Sequence, residues 1–439
     1  MIDKRLYIAI IEAPEQLENW QNFASAFRLL EFRNFDPSLK KAFVDCLEQP
    51  IRNPQDLSRA GTSLLKLTPG FELQFGAHLL DPLLLALLNK TLLTDPQLEK
   101  LLTSARRHLL THGWQPDFLP FLEALGIQCR RNEFVYCASP EEEDLARKAP
   151  PLFQEAYFPE EQLPQGTVKS RTAIKNAISQ KVAAQYEENP YPRWDLLPLP
   201  KRSIYPPETT SAKEILIAGC GTGQHAFQTA EIFPNAHIDA FDLSYASLSY
   251  AQSKKREEKI SFFQADLLEL ENWEKRFDLI ECSGVLHHME DPTRGWRILR
   301  NLLKPNGWML IGLYSTLGRQ DIAAARHLIK NRDLRTARQI LLELPDTHPA
   351  KTVTQTSDFY TLSGCRDLLF HAHEVTFNLE EIEEILRSLN LRFERFIWRD
   401  ETMASLNFSL KEWAEYEKAH PTTFSGMYQF WVRPLVPND

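Results

Sequence analysis

Three kinds of hydrophobic spacing succeed one another along the chain. Up to about residue 160 the apolar positions recur at helical intervals. Leu92, Leu93, Leu98, Leu101, Leu102, Leu109 and Leu110 follow the leucine-rich stretch 81–88 in this way. Thr94-Asp95-Pro96-Gln97 and Ser139-Pro140-Glu141-Glu142 read as helix starts, with a polar cap, a proline in the first turn and acid near the N-terminal end. No repeat period stands out, so the expectation is a compact helical bundle. From Glu214 to Tyr314 short apolar runs alternate with amphipathic stretches. The runs are Ile215–Ala218, Ile238–Phe241, Ile260–Phe263, Phe277–Ile280 and Trp308–Leu313, and Ala246–Lys255 and Thr293–Leu303 lie between them. This alternation predicts a parallel sheet with helices on both faces. Pro305-Asn306-Gly307 reads as the turn into the fifth strand. Beyond it come helical pieces at Asp321–Lys330, Leu334–Leu342 and Asp358–His371. A helix at Leu379–Leu389, a strand at Leu391–Trp398, a helix at Leu410–His420 and a strand at Met427–Val432 follow.

The expected division is a helical domain over 1–160, a connector over 161–210, and a domain over 211–439 with an insertion at about 318–377. The connector is rich in proline and has room for a short helix between about Arg171 and Ala184. It also carries Tyr186, Tyr191, Arg193 and Trp194, whereas a plain linker is polar. Those aromatics predict that it packs onto another element.

Composition narrows the classes. With 439 residues, the length suits two or three domains. An aromatic content of 11% is ample for a core and excludes disorder as the main state. A net charge of −9 disfavours a general nucleic-acid binder, which needs a phosphate-neutralising face. No apolar run reaches the roughly 18 residues of a membrane span. The stretch Met1–Ile11 has Asp3, Lys4 and Arg5 before a short apolar run and no small-residue cleavage site, so a signal peptide is not expected and the default location is the cytoplasm. The six cysteines form no C-x-x-C pair, which speaks against a structural zinc site or a disulfide framework.

Glycine is scarce, yet three of 16 fall together at Gly219, Gly221 and Gly223, between a strand and a helix. Glycines there let the backbone approach a ligand, and a helix N-terminus favours an anionic group. Asp242 closes the next strand, 242 − 223 = 19 positions on, where a carboxylate can accept from a vicinal diol. A dinucleotide fold wants its last glycine at position 224, which is Gln224. The spacing therefore disfavours a nicotinamide or flavin enzyme. Asp266, at the end of the third strand, can accept from the amino group of adenine.

Taken together these segments resemble the core of class I S-adenosylmethionine-dependent methyltransferases. The carriers are ILIAGCGTG at 215–223, FDLS at 241–244, ADL at 265–267, FDLIECSGVLHHMEDP at 277–292 and LKPNGWML at 303–310. The flanks YEENPYPRW at 186–194, SGCRDLLFH at 363–371 and GMYQFWV at 426–432 resemble a bacterial group whose core follows a helical, often tetratricopeptide-containing, region. The resemblance implies an α/β fold with a Rossmann-like, seven-stranded, mostly parallel sheet after an all-α N-terminal domain. It implies S-adenosyl-L-methionine as cofactor and S-adenosyl-L-homocysteine as product. Gly219, Cys220, Gly221 and Gly223 would meet the methionine and ribose portion, Asp242 and Leu243 the ribose, and Asp266 and Leu267 the adenine. Cys282 and Ser283 would lie beneath the sulfonium and amino group. One departure stands out: the family's acid two residues before the first glycine is Ile217 here.

Methyl transfer is direct displacement, so the protein mainly positions and dries the reactants. His288, and after it His287, are the candidates for a base or substrate ligand, with packing at a helix start as the alternative reading. Tyr186, Tyr191, Arg193, Trp194 and Arg366 are candidate substrate contacts. The insertion is expected to wall the ligand crevice. Its basic residues Arg319, Arg326, Lys330, Arg332, Arg335 and Arg338 suit an acidic substrate or form a solvated face. In His371-Ala372-His373-Glu374 the two histidines, at i and i+2, resemble a metal pair if the segment is extended, but with no third ligand evident nearby no metal is expected. The acceptor is expected to be a small molecule or a protein or peptide side chain, with no nucleic acid and no membrane. The helical N-terminus is a candidate site for a protein partner. The competing reading is a catalytically reduced methyltransferase-fold scaffold that binds a partner through that N-terminus.

Overall fold

The computed structural model describes residue 13 and residues 16–28, 30–113, 116–159, 167–198, 202–254, 259–398 and 401–435. The N-terminal stretch Met1–Ile11 lies outside them. The chain divides into two compact units. One comprises Met1–Gln162, Trp194–Leu199 and Ile329–Leu368; the other comprises Leu163–Arg193, Pro200–Leu328 and Leu369–Asp439.

The first unit is helical among its described residues. Four of its helices, Pro37–Glu48, Pro82–Lys90, Pro96–His112 and Pro140–Lys148, begin in the same way. An Asp or Ser cap accepts backbone N–H groups of the first turn, and proline takes the first helical position. Their apolar faces close on a core that includes Phe23, Phe27, Phe43, Leu84, Leu102 and Leu125, each at most 1% exposed. The middle of the expected insertion packs here: Leu334 and Leu362 lie against this core. Arg338, 1% exposed, donates to both oxygens of Glu99 at 2.7 Å. Ser363 donates its N–H and hydroxyl to Glu133. Residues 329–368 thus belong with the helices and not, as the domain division had it, with the sheet. A buried ion pair, hydrogen bonds from Ser363 and apolar contacts with the helical core hold them there.

The second unit is built on one sheet. Its strands are β1 (Lys169–Ser170), β2 (Glu214–Ala218), β3 (His237–Asp242), β4 (Ile260–Gln264), β5 (Phe277–Ser283), β6 (Leu303–Leu313), β7 (Leu391–Phe396) and β8 (Tyr428–Pro434). The spatial order is β1-β4-β3-β2-β5-β6-β8-β7. Pairings from β1 through β6 are parallel, and β8 runs antiparallel to both β6 and β7. The seven expected strands are joined by an eighth, the two-residue edge strand β1 from the connector. The connector helix runs Ala177–Glu188, later than expected, because Asn176 caps it by accepting from Ile178 and Ser179 N–H. Pro305-Asn306-Gly307 is not a turn before the strand. It is an excursion inside β6, where the register steps from Phe277–Leu303 to Leu279–Trp308.

Chain order reverses direction at β2, whose neighbours are β3 and β5. A crevice beyond the carboxyl ends of such strands is where ligands bind in open α/β sheets. Among the described residues no helix is long and apolar enough to cross a membrane. All six cysteines are free; five are buried and Cys137 is half-buried.

Candidate functional site

At the carboxyl end of β2 the chain turns on Gly219, Gly221 and Gly223, with φ of 68°, 50° and 83°. Side chains are disfavoured there by conformation and by space. A Cβ on Gly219 would lie 2.1 Å from Val285, and one on Gly221 would lie 2.7 Å from the carbonyl oxygen of Tyr191. The N–H groups of Gly219 and Cys220 both donate to the Phe241 carbonyl, at 2.9 Å. The loop is therefore pinned to β3. Asp242 at the end of β3 accepts from Gly221 N–H at 2.8 Å and Ser244 N–H at 2.9 Å. Burial pushes its carboxyl above the ordinary range, and these backbone hydrogen bonds only partly offset that.

Asp266 follows β4 and is 2% exposed. One carboxylate oxygen accepts from Leu268 N–H at 3.0 Å, while Oδ2 is buried without a hydrogen-bond partner. Burial raises this carboxyl as well; Ser179 lies near enough to steady its charge, although no well-formed hydrogen bond reaches Oδ2. Leu267 is buried, and Leu243 is half-buried with its carbonyl accepting from Gln264 at 2.9 Å. Cys282 is wholly buried, its thiol pushed up to about 12 by desolvation, so it is neutral and apolar in character. Ser283 ends β5 with its hydroxyl 3.4 Å from the Met427 sulfur.

The connector lies over this loop. Thr222 Oγ1 donates to the Pro192 carbonyl, and the Tyr191 carbonyl faces Gly221. Glu187 accepts from the N–H groups of Tyr245 and Ala246, the first residues of helix Tyr245–Ser253 that follows Asp242. The backbone of Tyr191 thus borders the glycine loop. Arg193 is half-buried in the same unit, whereas Trp194 and Arg366 fall in the helical unit.

Past β5 the chain brings together a second cluster. The rings of His288 and His371 stack 3.6 Å apart, and those of His287 and Tyr314 stack 3.9 Å apart. His371 Nδ1 accepts from His373 N–H at 3.1 Å, so its Nε2 carries the proton and donates to the Tyr186 oxygen at 3.2 Å. His288 Nδ1 lies 2.8 Å from the His373 carbonyl and must donate to it, which leaves the lone pair on Nε2. Burial first, and neighbouring imidazoles second, hold His288 well below its ordinary pKa; burial brings His371 down to about 4. Both rings are neutral at pH 7. His287 is 0% exposed and neither ring nitrogen has a hydrogen-bond partner, so it packs against Tyr314 instead of meeting an acceptor.

The basic stretch after β6 is neutralised within its own units. Arg319 and Arg326 both donate to Glu374, at 2.6 and 2.9 Å, and Arg319 also covers the Tyr314 ring. Arg335 and Arg338 pair with Glu143 and Glu99. These four are therefore not a cationic face awaiting an acidic substrate.

Residues 209–362 match the family described as "Methyltransferase domain". A malonyl-[acyl-carrier protein] O-methyltransferase of Halalkalibacterium halodurans is 34% identical over 110 residues, 24% of this chain and 40% of that protein. Residues 209–362 thus form a methyltransferase domain. A longer match, 28% identical, covers 56% of this chain and 69% of an uncharacterized protein of Synechococcus sp.. The chain thus spans less than half of the Halalkalibacterium enzyme. Among solved structures, PKMT2 from Rickettsia typhi in complex with AdoHcy is similar at a TM-score of 0.43 and 16% identity, over 56% of each chain.

The residues present fit the cofactor of such a domain. The glycine loop offers a cradle that a Cβ would fill, and Asp266 keeps a buried, unpartnered oxygen just past the end of β4, on the far side of β3. Sequence reasoning missed Glu187, which caps a helix of the methyltransferase domain, and it weighed His371 only as a metal ligand. The acidic and histidine letters were visible in both flanking segments, but their partners lie 58 and 185 positions away. Glu281 was read only as part of a motif. The structure places it at 0% exposure directly beside Ile217 in the β2–β5 register.

Proposed function

We propose that the chain transfers the methyl group of S-adenosylmethionine to a small-molecule or a protein or peptide acceptor, beside His288 and Tyr186. The observation that carries this reading is the pairing of the glycine cradle with Asp242 at the switch point of the sheet, together with the open oxygen of Asp266 past the end of β4. The cofactor, once bound, supplies an activated methyl carbon. The protein's part is to hold and orient. Gly219, Cys220, Gly221 and Gly223 present backbone to the methionine and ribose portion. Asp242 and Leu243 border the ribose, Asp266 and Leu267 the adenine, and Cys282 and Ser283 line the floor at the end of β5.

The acceptor side follows from the tautomers. His288 offers the Nε2 lone pair, and Tyr186, whose oxygen is hydrogen-bonded to His371 Nε2, stands next to that ring pair. A neutral imidazole of depressed basicity is a weak base. It accepts a hydrogen bond from the acceptor group and takes its proton late, so its role is orientation more than activation. The comparisons lend the scaffold alternative no support.

Calorimetry with S-adenosylmethionine tests the reading. Binding is expected, and Asp242→Ala is expected to weaken it by about 1.5–3 kcal/mol, the worth of hydrogen bonds to a charged group. A folded wild-type protein that binds no S-adenosylmethionine would sink it. Transfer of labelled methyl groups into a size-fractionated cell extract then tells a small acceptor from a macromolecular one.

A further inference from the structure

Helix Gln224–Ile232 begins directly after the glycine loop, with Gly223 as its cap. Its second residue is His225. A cation in the first turn of a helix opposes the helix dipole and needs a reason to be there. Glu281 supplies it. This carboxylate sits on β5, beside Ile217 in register, and is 0% exposed. Its Oε2 lies 2.8 Å from His225 Nε2 and accepts from Thr229 Oγ1 at 2.8 Å. Tyr205 stands behind Thr229, at 3.3 Å, so the chain of donors runs Tyr205 to Thr229 to Glu281. Glu281 Oε1 is buried with no partner. The network is thus weighted toward His225 rather than completed by the fold.

The side chain of His225 is 36% exposed, so one edge of the ring reaches solvent beside the glycine loop. With Nε2 committed to Glu281, the state of Nδ1 decides what that edge offers. In the imidazolium it is an N–H donor with positive charge. In the neutral ring it is a lone pair that repels an anion.

We propose that His225, gripped by Glu281 from β5, is the cation that receives the carboxylate of the cofactor's amino-acid end. The proposal rests on the S-adenosylmethionine reading above. It makes Glu281 a positioning residue whose carboxylate stands one strand over from Ile217. Burial lowers the basicity of His225, but the charge and hydrogen bond of Glu281 outweigh it, and the net direction is upward. The other titratable groups of the network are Glu281 and Tyr205; burial keeps Tyr205 protonated. The pair therefore stabilises the apo fold fully below the unfolded histidine pKa, and that contribution is lost as pH rises through the higher folded value.

The test is calorimetric binding of S-adenosylhomocysteine from pH 6 to pH 8.5, alongside apo melting curves, for wild type, Glu281→Gln and His225→Asn. Wild-type affinity is expected to fall as pH rises. Glu281→Gln is expected to bind about tenfold more weakly at pH 7, with its fall displaced to lower pH. In His225→Asn the pH dependence is expected to vanish from both binding and apo melting. His225→Asn, on a partly exposed side chain, keeps the proposal testable should Glu281→Gln not fold. Wild-type affinity and pH profile retained in folded variants would overturn it. Absence of binding by wild type at every pH would instead overturn the cofactor reading, and with it this one.

Discussion

The two units treat their buried carboxylates differently. In the helical unit Glu99 has both oxygens on Arg338, Glu133 has both on Ser363, and Glu142 is held by Arg107 at 2.7 Å and Tyr157 at 2.6 Å. In the sheet unit, those away from the glycine loop are likewise saturated: Glu417 accepts from Ser315 and Tyr428, and Asp239 holds Lys275. Asp266, just after β4, and Glu281, on β5, each keep one oxygen without a partner. An unsatisfied buried acceptor costs stability. It persists at Asp266 and Glu281 and not at Glu99, Glu133 or Glu142, which sets these two apart from the closed contacts of those three.

The comparison breaks first at Glu99. Glu99→Ala leaves the buried guanidinium of Arg338 without its carboxylate. The expected loss is about 3–5 kcal/mol, read from urea unfolding. Removing both charges with Glu99→Ala and Arg338→Leu is expected to restore much of it, because the larger part of the single-mutant cost is the stranded cation. A single-variant loss below about 1 kcal/mol would mean that the pair is not the closed structural unit it is taken for. Cofactor affinity of the folded variant is expected to stay unchanged.

Gly221→Ala comes next, and its effect should land on binding. The new Cβ meets the Tyr191 carbonyl at 2.7 Å in a residue with φ of 50°. Strain and overpacking together cost about 2–4 kcal/mol. Either the loop or the 189–193 segment has to move, and both border the cradle. Calorimetry is expected to show cofactor affinity lowered by one to three decades, at about 1.4 kcal/mol per decade. Unchanged affinity would show that the Tyr191 carbonyl yields freely and that the connector is no part of the site.

What could be read from the sequence was local. The Asp-Pro and Ser-Pro helix starts, the alternating strands, the glycine loop and Asp242 all announce themselves within about twenty positions, and the structure has them in place. What could not be read depends on distant partners. Arg338 lies 239 positions from Glu99, so its stretch looked like a free basic face when it is part of the helical core. His371 stacks on His288 only because the segment after the insertion returns to the end of β5. Ile217 looked like a loss because its strand neighbour is invisible in one dimension; the register sets Glu281 beside it. The excursion in β6 was read as a turn because Pro-Asn-Gly has turn chemistry whether it precedes a strand or bulges out of one.

Asp266→Asn sharpens the contrast with the smallest expected effect, because stability and binding should move in opposite directions. Burial raises the carboxyl of Asp266 in the folded protein. A carboxylate whose folded pKa exceeds its unfolded one favours folding most when protonated, and that advantage is lost as pH rises through the folded value. At pH 7 the charged form is therefore a burden on the apo fold, and the neutral amide relieves it. The apo protein is expected to melt at the same temperature or slightly higher. Oδ1 can still accept from Leu268, but an amide nitrogen at the Oδ2 position donates where the carboxylate accepted. A ligand amino group facing it then meets a donor. Affinity for S-adenosylhomocysteine is expected to fall by about 1–2 kcal/mol, the cost of a mispaired buried group. Titration calorimetry and apo melting on one preparation decide between the roles. If both fall together, Asp266 is a structural cap like the helical carboxylates. If binding falls while the apo protein holds or gains, the open oxygen is kept for a ligand.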